Sequence, residues 1–186
     1  MVGLFGGAFD PPHRGHVELA RRAKEALGLD RLIVLVSADP AHKHVDTPAA
    51  ARLRLAQAAF PGDEVLLDDH ARTVDTLRAH PEWADSVFLI GADQFCDFLS
   101  WQEPTEVLVR TRLGVATRPG FPRERLDRVL AELEAPDRVE FFEIEPTPIA
   151  SRDLRARLVA GGGAGDDVPP AVAELIGAES LYQDQS

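Results

Sequence analysis

The stretch GLFGGAFDPPHRGH, Gly3 to His16, decides how this chain reads. Val2 to Phe5 is a short apolar run that stops at Gly6-Gly7, the pattern of a buried strand breaking into a loop. Beyond it Val17, Ala20, Ala23, Ala26 and Leu27 recur at helical spacing between charged residues, until Gly28 ends the run. Strand, loop and helix thus follow within thirty residues, and the loop has the makings of an anion site. Gly6 and Gly7 have no side chain to keep backbone N–H groups away from phosphate oxygens. Phe9 reads as a buried hinge and Pro11-Pro12 as a stiffener. Gly15-His16 opens the helix, whose positive end attracts an anion. His13 and His16, one turn apart, can donate to a single phosphate. Two alternatives are a capped turn with surface histidines and a zinc pair, although no third zinc ligand is evident.

Outward from this stretch the chain alternates strand and helix. Strand candidates are Arg31 to Ser37, Glu64 to Asp68, the apolar run ending at Gly91, Arg112 to Thr117 and Val139 to Ile144. Helix candidates are Ala50 to Phe60, Thr73 to Ala79, the residues up to Leu99, Arg123 to Leu133, Ser151 to Val159 and Pro169 to Ile176. The order predicts an α/β fold with a mostly parallel central sheet and helices on both faces. Residues 1–186 are expected to form one domain, with 151–186 a helical segment packed on it. A net charge of −11 argues against a general nucleic-acid surface. The single cysteine, Cys96, excludes an internal disulfide. No leader or membrane-length apolar run is seen, so a soluble cytoplasmic protein is expected.

In an open parallel sheet, ligands gather outside the carboxyl ends of the strands. GGAFDPPHRGH, ADPAHKH, GADQF and TRPG each follow a strand candidate, and IASRDLR opens a helix after the last one. One sheet edge would therefore collect all five.

Gly6 to His16 closely resembles the opening motif of the nucleotidyltransferase superfamily that carries an H-x-G-H signature. The wider chain resembles the bacterial nicotinate mononucleotide adenylyltransferase family through PAHKH (Pro40 to His44), RTVDTL (Arg72 to Leu77), GADQFCDFLSW (Gly91 to Trp101), ATRPG (Ala116 to Gly120), IASRDLR (Ile149 to Arg155) and the VP…LY ending at Val168 to Tyr182. The resemblance implies a Rossmann-like nucleotidyltransferase fold. It also implies transfer of AMP from Mg-ATP to a pyridine mononucleotide, with release of pyrophosphate, in NAD biosynthesis. Small-molecule substrates follow as partners, with no nucleic acid and no membrane, and a homo-oligomer is compatible with this reading.

Under that resemblance ATP contacts fall to Gly6, Gly7, Ala8 and Phe9 with the two histidines, to Gly91 and Asp93 of the GAD segment, and to Ser151 and Arg155. His13, His16, Lys43 and Arg155 would carry the chemistry, since two anions must be neutralised and aligned rather than attacked by the enzyme. The acceptor would meet Lys43, Arg72, Thr73, Asp93, Trp101 and Arg118. Several also have a plain structural reading: Lys43 a solvated loop lysine, Arg118 an ion-pair partner, Asp93 a helix cap, Trp101 core, and Ser151 with Arg155 a cap and a surface arginine. The family's I-S-S-T-x-x-R is departed from at Ala150 and Arg152, and its tyrosine before Thr73 is Arg72 here. Rival readings are a transferase of the same fold acting on another acceptor such as phosphopantetheine, a nucleotide-binding protein without turnover, and a metal-dependent hydrolase using His13, His16, His42 and His44.

Overall fold

The computed structural model describes residues 1–40 and 45–183. Six strands form one sheet: β1 (Val2–Gly7), β2 (Arg31–Ser37), β3 (Glu64–Asp68), β4 (Val87–Gly91), β5 (Arg112–Thr117) and β6 (Val139–Glu143). All neighbours run parallel, in the order β3-β2-β1-β4-β5-β6. Among the described residues, eight α-helices connect or follow them: α1 (Arg14–Leu27), α2 (Ala49–Ala59), α3 (Thr73–Ala79), α4 (Ala92–Cys96), α5 (Pro104–Arg110), α6 (Arg123–Glu132), α7 (Ser151–Val159) and α8 (Pro170–Ala178).

Strand side chains alternate between faces, and each face supports its own core. Phe5, Val34, Val36 and Leu89 pack with α1, α2, α7 and α8 on one side. Leu4, Ile33, Leu35, Phe88 and Ile90 pack with α3, α4, α5 and α6 on the other. This explains the unbroken apolar reading of RLIVLVS, since both of its faces are covered. No helix among the described residues is long and apolar enough to cross a membrane.

Two expectations change. β1 continues through Gly6 and Gly7, which pair with Leu35 and Val36, so the loop begins two residues later. The missing side chains matter to packing there. A Cβ on Gly6 would lie 3.0 Å from the Phe88 ring, and one on Gly7 3.0 Å from the Phe9 ring. The helix α5 was not expected from the sequence. Its seven residues bury only Val107 and Leu108, too short a pattern to show a period.

The strand order reverses at β1, whose sequence neighbour β2 lies on one side and β4 on the other. The crevice at the carboxyl ends of β1 and β4 is the switch point where α/β sheets hold ligands. The loop from Ala8 to His13 leaves β1 there.

Candidate active site

Rings fix the path of that loop. Phe9 is buried and adopts φ 49, a left-handed conformation that a side chain disfavours. Its ring meets Phe5 at 5.4 Å, Phe60 at 5.8 Å and His16 at 5.2 Å, each close to edge-on. That packing holds the strained residue in place and sets His16 above it.

The histidines are interlocked. The backbone N–H of His13 donates to His16 Nδ1 at 3.1 Å, so neutral His16 carries its proton on Nε2. The two rings lie 3.8 Å apart between centroids. A side chain on Gly15 would come within 3.0 Å of the His13 ring, so only glycine allows this stacking without displacement. His13 is 8% exposed, and its Nδ1 has no hydrogen-bond partner among the described residues. Burial lowers its pKa from 6.5 to about 4, against a smaller opposing pull from Asp167. His13 is therefore a neutral donor at neutral pH.

This pKa has a consequence for stability. Between the folded value of about 4 and the unfolded value of 6.5, the unfolded chain binds the proton that the folded chain refuses. The fold suffers no penalty from His13 above that window and loses stability as pH falls through it. The expected contribution is a loss of about 2 kcal/mol between pH 7 and pH 5. Urea titrations at the two pH values, compared with His13→Gln, measure it; an identical pH slope in the variant contradicts the assignment.

The start of α7 is fastened to the same loop. Ser151 Oγ donates to the Pro11 carbonyl at 3.0 Å, and Arg155 Nη1 to the Asp10 carbonyl at 2.6 Å. The last described residues arrive there too, with the Tyr182 hydroxyl donating to Asp10 Oδ1 at 2.8 Å. Ala150, at the cap position, supplies no side-chain cap, and Arg152 points its 86% exposed side chain beside Asp153. The first departure thus removes a cap, and the second lies out in solvent.

A buried arginine stabilises the neighbouring turns. Arg52 is 1% exposed and donates to the carbonyls of Ala8, Ser37, Ala38 and Thr47, at 2.9, 2.6, 2.9 and 3.1 Å. The carboxyl ends of β1 and β2 are thereby tied to α2. Burial lowers its pKa, while Asp10, Tyr182 and Asp39 oppose that shift.

Other expected residues fall into two further groups. Gly91 precedes α4, and its N–H donates to Gln94 Oε1 at 3.2 Å. Asp93 sits in the first turn of α4 rather than at its cap, and pairs loosely with Arg118 at 3.8 Å and Arg125 at 3.7 Å. Arg118 follows β5, and both it and Asp93 are well exposed. On the same face, Arg72 stands at the cap position of α3 without a side-chain capping bond, and Thr73 is the first residue, where the N–H has no partner within the helix. Trp101 packs on Phe98 at 5.3 Å and Phe88 at 6.4 Å, leaving part of its ring uncovered. Arg78 of α3 forks onto Glu103 at 3.0 and 2.6 Å, joining the Trp101 segment to α3. Lys43, with His42 and His44, lies outside the described residues. Among the described residues, no group of three or more His, Cys, Asp or Glu side chains is placed to hold a metal ion.

The site therefore straddles the sheet edge, with the histidine loop and α7 on one side and α3, α4 and Trp101 on the other. Asp10, Arg52 and Tyr182 were not anticipated as site residues. Arg52 left a signal: it is a charge within the buried run Ala51, Leu55, Ala56, Ala59.

The family model for cytidylyltransferase-like proteins matches residues 4–157. The chain belongs to that family, and the fold and site define it as a nucleotidyltransferase. A "Probable nicotinate-nucleotide adenylyltransferase" of Rubrobacter xylanophilus is 32% identical, across 98% of this chain and 92% of its own length. A protein of the same description from Thermus thermophilus is 36% identical, across 98% and 99%. The chain is a member of the nicotinate-nucleotide adenylyltransferase family. The fold is also that of a solved Plasmodium falciparum nicotinic acid mononucleotide adenylyltransferase complexed with NaAD, with a TM-score of 0.75 at 18% identity over 97% of this chain and 96% of that one.

Proposed function

We propose that this chain transfers AMP from Mg-ATP to the 5′-phosphate of nicotinate mononucleotide, forming deamido-NAD and pyrophosphate in NAD biosynthesis. An oxygen of the acceptor phosphate attacks the α-phosphorus of ATP, and the bond to the β-phosphate oxygen breaks, so no covalent enzyme intermediate is needed. The observation that carries this reading is the fastening of Ser151 and Arg155 onto the loop that holds His13 and His16. It gathers imidazoles, a hydroxyl, a guanidinium and the positive end of α1 at one strand end.

His13 contributes a neutral hydrogen bond to the phosphates, and His16 follows charge developing at the α-phosphate. Arg155 and Ser151 hold the polyphosphate, while Gly6 to Phe9, Gly91 and Asp93 shape the nucleotide pocket. Lys43 supplies a cation to the acceptor phosphate. Thr73 reads the pyridine carboxylate through its N–H, Trp101 offers the ring a flat face, and Arg118 lies at the nucleotide edge. Magnesium would enter as part of the Mg-ATP substrate and offset the charge of its phosphates. The site's own donors are imidazole, guanidinium, hydroxyl and amide groups, a set suited to phosphate oxygens rather than to a bare cation. Residues 151–183 act as part of the same single domain.

A panel of acceptors read by pyrophosphate release tests the reading. Nicotinate mononucleotide is expected to be the preferred acceptor; turnover of phosphopantetheine instead, or ATP binding without release for every acceptor, overturns it. Arg72 gives a finer check. It stands exposed at the start of α3, beside Thr73. Pairing with the nicotinate carboxylate would favour that acceptor over the uncharged amide. Arg72→Ala is expected to reduce the nicotinate-to-nicotinamide preference about tenfold, the size of one lost charge-assisted hydrogen bond. An unchanged ratio rejects this role.

A further inference from the structure

Tyr182 and Asp10 are 172 residues apart in sequence, yet they share the 2.8 Å hydrogen bond. Val172 and Ile176 bury α8, and Arg54 of α2 forks onto Glu179 at 2.9 and 2.6 Å. The chain then bends through Ser180 and Tyr182 at φ 51 and 60, left-handed conformations that neither side chain favours and that the surrounding contacts must hold. The bend delivers the phenol to Asp10, which is 2% exposed.

The surroundings of Asp10 are lopsided. Its Oδ1 accepts from Tyr182, whereas Oδ2 has no hydrogen-bond partner among the described residues. Arg155 Nη1 forms a long ion pair with Oδ2 at 3.7 Å, outside hydrogen-bond range, and donates its hydrogen bond to the Asp10 carbonyl instead. A buried carboxylate so near a guanidinium is strongly drawn to it. The Tyr182 hydroxyl holds the opposite oxygen, Oδ1, while Arg155 and Oδ2 form a long ion pair without a hydrogen bond. Burial, followed by the nearby Asp10 charge, pushes the Tyr182 phenol above its ordinary pKa, so it remains a donor.

We propose that Tyr182 is a positioning residue for nucleotide binding: by holding Asp10 through Oδ1, it keeps the carboxylate from capturing Arg155 and leaves that guanidinium to the polyphosphate of ATP. The inference rests on the assignment of Arg155 to ATP made above.

The test uses the full chain, with Mg-ATP affinity measured by calorimetry and KM values for both substrates. Tyr182→Phe is expected to weaken ATP binding and raise its KM about tenfold, leaving the KM of the mononucleotide unchanged. Adding Asp10→Asn removes the charge that competes for Arg155 and is expected to restore most of the affinity. Support alone would give a double variant no better than Tyr182→Phe. Arg54→Ala loosens the same tail without touching Asp10, so it should lower Tm and leave ATP affinity intact. Wild-type affinity in Tyr182→Phe, no rescue in the double variant, or equal weakening by Arg54→Ala each overturns the inference. Arg155→Ala separates the two levels. If it binds ATP normally, the assignment of Arg155 fails; if it binds weakly while Tyr182→Phe binds normally, only the role of Tyr182 fails.

Discussion

His16→Ala is expected to reduce AMP transfer by about 10²–10³-fold while leaving the KM for nicotinate mononucleotide close to its original value. The expectation follows from where this side chain is held. Its Nδ1 is taken by the His13 N–H at 3.1 Å, which places the remaining proton on Nε2, and Phe9 lies edge-on at 5.2 Å. A donor fixed in tautomer and position needs little reorganisation as charge builds on the α-phosphate, and such donors act mainly on the transition state. Loss should therefore appear in kcat. His16→Asn, which keeps an N–H donor on a shorter side chain, should recover part of the rate. Pyrophosphate release measured at saturating substrates decides the matter, and a variant that works at full speed removes the loop from the mechanism.

Arg52→Met is expected to destabilise the fold by about 3–5 kcal/mol, because a buried acceptor that loses its donor costs about 1–3 kcal/mol and four carbonyls share this one guanidinium. Methionine nearly conserves volume, so a cavity explains little of the effect. Arg52→Lys should be damaging too, since one ammonium cannot reproduce a planar fork reaching carbonyls at both strand ends and at Thr47 ahead of α2. Urea denaturation reads both variants. A midpoint within error of the original would mean that the four carbonyls are satisfied by other means. Because Ala8 is among the acceptors, surviving protein should also bind ATP less tightly.

Much of this was legible in the sequence for a simple reason. Strands of a parallel sheet covered on both faces must be apolar almost throughout, so RLIVLVS and SVFLIG announce themselves, and the polar segments between them fall at strand ends. The histidine loop was legible because glycine, proline and imidazole seldom coincide without a ligand to bind. Gly6 and Gly7 were read for their open backbone, yet what fills the space above them is the rings of Phe88 and Phe9, a packing relation that no local pattern contains. Asp93 looked equally fit to cap α4, but Gly91 holds that position and Gln94 closes the turn. Asp10 and Tyr182 could not be singled out, since each takes its meaning from a partner at the far end of the chain. Arg52 shows in the letters only as a charge inside an apolar helical run; the backbone carbonyls it holds carry no mark there.

The fastening of Pro11 and Asp10 by Ser151, Arg155 and Tyr182 also orders events during synthesis. Ser151, Arg155 and Tyr182 lie 140, 145 and 172 residues after the loop groups they hold, so the loop emerges from the ribosome long before its clamp. A nascent chain halted before α7 presents both imidazoles on a turn that lacks the braces from Ser151 and Arg155. The loop is therefore braced only once α7 and the Tyr182 segment have been made.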